Sequence, residues 1–114
     1  MIAVIFEVVP HPERKQAYLD IAAQLRPLLD DVDGFISVER FQSLSDPSRV
    51  LSLSFWRDEA AVEAWRNTAS HRHAQTMARD GIFLDYRLRI AEVSRDYGMK
   101  EREQAPSDSR AQHG

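Results

Sequence analysis

The sequence predicts an α+β domain of the ferredoxin-like kind, ordered β-α-β-β-α-β, with a four-stranded antiparallel sheet and its helices on one face. Three observations predict it. Four stretches rich in β-branched and aromatic residues start at Ile2, Phe35, Val50 and Phe83. Between the first and second, and between the third and fourth, apolar residues recur at helical spacing. Turn-forming residues separate them at Pro10-His11-Pro12, Asp33-Gly34, Asp46-Pro47-Ser48 and Gly81. A chain of 114 residues with 43% hydrophobic content is sized for one such domain.

Ile2 to Val9 has no turn residue and is apolar on both faces: Ile2, Val4, Phe6 and Val8 on one, Ala3, Ile5 and Val9 on the other, with Glu7 the exception. A strand of that kind is buried on both sides. Pro10-His11-Pro12 ends it and can open a helix, since proline is tolerated in a first turn. Tyr18, Ile21, Ala22, Leu25, Leu28 and Leu29 then form the apolar stripe, with Pro27 distorting the last turn and Asp33-Gly34 stopping it. Phe35 to Gln42 and Val50 to Trp56 read as an antiparallel hairpin. Leu51, Leu53 and Phe55 fall on one face of its second strand, and Val50, Ser52, Ser54 and Trp56 on the other. Asp58 is a good N-cap for a helix over Glu59 to Arg66. Asn67-Thr68-Ala69-Ser70 weakens that helix, and Ser70 or Thr68 can cap a second one reaching about Asp80. Phe83 to Val93 is the last strand, with Leu84, Tyr86, Leu88 and Ile90 on its apolar face and Asp85, Arg87 and Arg89 on the other. Residues 1–98 form the domain, and 99–114, almost without apolar content, read as a polar, flexible tail.

Net charge of -3 and a pI near 5.8 give no general attraction to nucleic acid or to an anionic membrane. No apolar run approaches the roughly 18 residues that a membrane span needs. The opening MIAVIFEVVP has no basic region before its apolar residues, so no signal peptide is expected. The absence of cysteine excludes disulfides and thiol catalysis and fits a cytoplasmic protein. Two helices cover one face of a four-stranded sheet. Alternation then leaves Phe35, Phe41, Val50, Trp56, Phe83, Ala91 and Val93 on the other, a patch that a homodimer closing sheet to sheet would bury. On that reading Trp56 packs in the interface.

Chemistry-bearing residues concentrate in Phe55 to Met77, FWRDEAAVEAWRNTASHRHAQTM. Imidazole titrates near pH 6.5, so His71 can accept a proton under working conditions. On a helix it shares a face with the small Ala74 and Ala78 and with Gln75, leaving room for a ligand. The plainer reading is a surface or capping histidine. His73 lies about 200° further round the helix and cannot share that face. Spaced two apart without a carboxylate at ligand spacing, the two histidines make no metal site. Trp65 packs equally well as core. Arg87 and Arg89 either hold a substrate anion or, the plainer reading, pair with acids such as Asp85 or Glu39 across the dimer interface.

Phe55-Trp56-Arg57, the Asp-Glu-Ala-Ala helix start, Trp65, His71-Arg72, Ala74-Gln75, Tyr86-Arg87-Leu88-Arg89 and Arg95-Asp96-Tyr97-Gly98 resemble the antibiotic biosynthesis monooxygenase family over residues 1–98. The resemblance implies a dimeric α+β barrel. It also implies a cofactor-independent reaction in which a deprotonated phenol or quinol reduces dioxygen itself, with neither flavin nor metal. Trp65 matches the family's helix tryptophan, which lines the pocket, and His71 a position where some members carry a proton-transferring side chain. The resemblance therefore implies His71 as base and Trp65 as catalytic wall, in a hollow under the interrupted helix. The substrate-binding candidates are Tyr86, Gln75, Met77 and Arg87. Three alternatives stand beside this: isomerisation or breakdown of a small oxygenated metabolite, a non-catalytic ligand-binding or stress-associated dimer, and haem degradation. The last fits poorly. Gln75 occupies the place of the axial histidine, and the first strand has no asparagine.

Overall fold

The computed structural model spans residues 1–114 and describes all of them except the side chains of Met77 and Ala78. Strands β1 (Ile2–Pro10), β2 (Phe35–Gln42), β3 (Val50–Trp56) and β4 (Phe83–Glu92) form one antiparallel sheet in the order β2-β3-β1-β4. Helix α1 (Lys15–Leu29) joins β1 to β2, while α2 (Glu59–Arg66) and α3 (Ala69–Arg79) join β3 to β4. This is the expected ferredoxin-like architecture.

Three local devices fix the connections. His11 accepts the Glu13 N–H on Nδ1 at 3.2 Å and starts a 3-10 turn over Pro12–Arg14, so α1 begins one turn later than the proline signal predicts. Pro27 lies in the last turn of α1, which nevertheless continues to Leu29. Gly34 has φ +90°, a conformation that suits glycine, and its carbonyl accepts the Arg57 N–H at 2.7 Å.

The core lies between sheet and helices in two parts. Ile2, Trp56, Ala61, Val62, Trp65 and Leu29 are buried together under α2, and Val8, Tyr18, Val50 and Ile82 at the start of α1. This reverses the expected faces of β3. Trp56 stands opposite Ile2, and Val50 opposite Val8, so both point to the helices. Trp56 is 3% exposed and packs edge-on against Phe35 at 5.2 Å; it is core, not interface. Phe83 likewise packs inward, on Tyr18. Ser52 and Ser54, which alternation places with Trp56 on the expected interface side, turn inward with it. Ser54 is buried because its hydroxyl accepts the Trp56 indole N–H at 2.9 Å, a polar pair hidden within the apolar layer.

The outer face carries Ala3, Ile5, Glu7, Leu51, Leu53, Phe55, Phe41, Arg87 and Arg89, as the strand register requires. Arg89 pairs with Glu7 at 3.0 Å within the subunit, from the neighbouring strand β1. Residues 99–114 have local order that their composition did not suggest. Arg102 donates to the carbonyls of Gly98 and Gly114 and to the Ser109 hydroxyl, tying the short helix α4 (Ser107–His113) to a guanidinium that lies over the Tyr97 ring.

Candidate functional site

The site forms where α2 gives way to α3. Asp58 accepts the Ala61 N–H at 2.9 Å and so caps α2. Hydrogen bonds from Arg57, then from Ala61, hold its carboxyl below the usual carboxylate range. From that fixed start, helical spacing turns Ala61, Val62 and Trp65 inward. Trp65 is 8% exposed and belongs to the core cluster under α2.

Thr68 closes one helix and opens the next. Its hydroxyl donates to the Trp65 carbonyl at 2.8 Å and accepts the His71 N–H at 3.2 Å. The resulting turn folds His71 back on Trp65, with ring centroids 5.3 Å apart and a 50° tilt. Nδ1 of His71 lies 3.4 Å from the Arg66 carbonyl, a long contact that favours the proton on Nδ1 and leaves the Nε2 lone pair free. Burial pushes the imidazole pKa below its ordinary 6.5, and the charges of Arg72 and Arg66 add to that; the Arg66 carbonyl works against them. His71 is therefore neutral and able to accept a proton at pH 7.

Beside these rings, β4 contributes a strip of apolar side chains that the helices leave uncovered. Tyr86, Leu88 and Ile90 stand opposite Val8, Phe6 and Val4, on the helix side of the sheet, yet are 43%, 51% and 42% exposed. At one end of the strip Val4 packs on the Trp65 cluster. At the other, Phe6, Tyr18, Phe83 and Tyr86 make an aromatic group with centroids 5.5 to 6.1 Å apart. Helix α3 (Ala69–Arg79) follows the Trp65 turn, and the turn after it brings Ile82 to the other end.

The structure thus brings together Trp65 and His71, and places Tyr86 on the same side of the sheet. Gln75, one turn after His71 on α3, is exposed. Arg87 stands opposite Glu7 on the outer face, so it does not join Tyr86. Met77 lies outside the described side chains. Where a hollow under the interrupted helix was expected, the apolar strip is open-sided. A depression of about 420 Å³ lies instead on the outer face, lined by Ile5, Glu7, Phe41, Arg49 and Leu51 among others. Among the described residues no three His, Cys, Asp or Glu side chains gather as metal ligands, and no helix is long and apolar enough to cross a membrane. Sequence reasoning counted Tyr18 only as part of a stripe and passed over its hydroxyl; a lone phenol within an otherwise aliphatic helix face was the available signal.

Comparison with known proteins agrees with this frame. Residues 1–77 match the family model described as antibiotic biosynthesis monooxygenase. The chain is 52% identical over 94 residues to a Pyricularia oryzae protein named jasmonate monooxygenase ABM; the match covers 82% of this chain but only 44% of that protein, so the chain spans less than half its length. It is 30% identical over 99 residues to the uncharacterized protein YqjZ of Bacillus subtilis, covering 87% of this chain and 84% of that one. Solved structures share the fold at low identity. A Mycobacterium tuberculosis protein superposes with a TM-score of 0.77 at 13% identity, covering 85% of this chain and 98% of that one. A proposed antibiotic biosynthesis monooxygenase from Deinococcus radiodurans gives 0.77 at 13% identity, covering 86% and 97%.

Proposed function

We propose that this chain, which belongs to the antibiotic biosynthesis monooxygenase family, oxidises a small aromatic phenol or quinol with dioxygen and without a cofactor. The observation that carries the reading is the Trp65–His71 pair, a neutral imidazole held against an indole next to an apolar strip. His71 Nε2 takes the phenolic proton. The phenolate then passes an electron to dioxygen, and the two radicals join at an electron-rich ring carbon. Cleavage of the O–O bond leaves one oxygen on the ring as a quinone carbonyl, and the other departs as water with two substrate hydrogens. Trp65 gives the flat substrate an apolar wall. Tyr86 on β4 borders the same side, and Gln75 and Met77 belong to α3.

Two further elements belong to the proposal. A second copy covers the outer face, where Ile5, Leu51, Leu53, Phe55 and Phe41 are apolar and only partly buried. The protein works in the cytoplasm, a reading supported by its lack of cysteine.

The test is oxygen uptake with a panel of quinols, and with jasmonate because of the Pyricularia oryzae relative's name. Uptake at an undiminished rate after exhaustive chelation, without added flavin, is the expected result. Turnover of a small oxygenated metabolite under argon would assign isomerisation or breakdown instead.

A further inference from the structure

The hydroxyl of Tyr18 takes no part in the reaction just described. Tyr18 is 6% exposed, and its Oη has no hydrogen-bond partner among the described residues. Its surroundings explain why: Val8, Val50, Ile82, Phe6 and Phe83 offer no side-chain acceptor. A buried hydroxyl without a partner costs the fold its desolvation penalty, and phenylalanine would fill nearly the same volume without it. The oxygen is therefore a burden on the free protein and an asset only once an acceptor arrives.

The strip on β4 indicates where that acceptor comes from. Tyr86, opposite Val8, marks the Tyr18 end, and Ile90, opposite Val4, the Trp65–His71 end. Four residues of strand separate them, about 13 Å. Tyr86 is 43% exposed and leans on Phe6 and Phe83, and Phe83 in turn covers Tyr18. Tyr86 is thus the exposed edge of the aromatic group, and a flat ligand entering there meets Phe6 and Phe83, the ring that separates it from Tyr18.

Building on the reading of His71 as base, we infer that Tyr18 is a substrate-recognising residue. Its O–H donates to an oxygen at the far end of the ligand from the one His71 deprotonates. The substrate class is accordingly elongated, such as fused rings or a substituted aryl, and oxygenated at both ends.

Binding of three probes to the full chain under argon tests this: 2,6-dihydroxynaphthalene, 2-naphthol and naphthalene, followed by calorimetry. The wild type is expected to prefer the dihydroxy compound over 2-naphthol by about tenfold, the worth of one added hydrogen bond. Tyr18→Phe should bring the two within about twofold, the statistical difference, and melt no lower than the wild type. A preference that survives in Tyr18→Phe overturns the inference, as does a wild type that shows no preference or binds none of the three. A melting temperature several degrees lower in Tyr18→Phe also overturns it, because the hydroxyl would then already serve the fold. Oxygen uptake is scored separately. Preference without uptake sinks the oxidation reading and keeps Tyr18; uptake without preference does the reverse.

Discussion

At the scale of single residues, the behaviour of His71 follows from what surrounds it. Burial, seconded by Arg72 and Arg66, lowers its pKa, so the neutral form extends below pH 6.5. Oxygen uptake should therefore be flat above pH 6.5 and fall as the pH drops through the folded value, a profile that steady-state rates across pH 4.5 to 8 would check. Stability has the same sign. The unfolded chain binds the proton more readily, so the contribution of His71 is complete above 6.5 and is lost as pH falls through the folded pKa. His71→Gln keeps a polar side chain of similar reach but removes the base. Turnover should fall by about 10²- to 10⁴-fold with little change in melting temperature. Full turnover in that variant would end the assignment. Ser54 carries a different expectation. Ser54→Ala strands the Trp56 indole N–H in the core, and urea unfolding should show a loss of about 1–3 kcal/mol.

At the scale of elements, the connections matter more than the strands and helices they join. Gly34 shows this. A Cβ there would stand 2.7 Å from the Ala61 Cβ and 3.3 Å from the Arg57 guanidinium carbon, at a φ that L-residues rarely adopt. Gly34→Ala should cost about 1–3 kcal/mol by urea unfolding, because backbone and neighbour must both move. The element order was legible from periodicity and turn residues alone, and so was the break at Thr68. The sides of the sheet were not. With apolar residues on both faces of β1 and β3, alternation cannot say which face meets the helices, and β3 was assigned the wrong way round. Only the register of β3 on β1, a long-range fact, places Trp56 and Val50 inward. For the candidate site, Trp65 and His71 were legible as six residues apart, but their stacking depends on the Thr68 hydroxyl bridging two helices. Alternation along β4 had already put Tyr86 and Arg87 on opposite faces, and the register on β1 keeps them apart.

For the whole molecule, the sheet has one face under helices and the other bearing Ile5, Leu51, Leu53 and Phe55 around the Glu7–Arg89 ion pair. If a second copy covers this face, Phe41→Glu should weaken the pairing. Phe41 is 43% exposed, so the subunit tolerates the charge while the interface does not. Sedimentation velocity should show a dimer for the wild type and a shift towards single subunits for the variant. A monomeric wild type would remove the second copy from the proposal. Activity need not vanish with it, since Trp65, His71 and the β4 strip lie across the sheet from that surface.

The closeness of His71 to Trp65 gives the molecule its own optical gauge. A protonated imidazole quenches a neighbouring indole's emission by drawing electron density from its excited state. Trp56, tucked beside Phe35 and tied to Ser54, supplies a steady background. Acidifying the sample should therefore dim one tryptophan and leave the other lit, so that a fluorimeter alone reads out the charge on a single histidine.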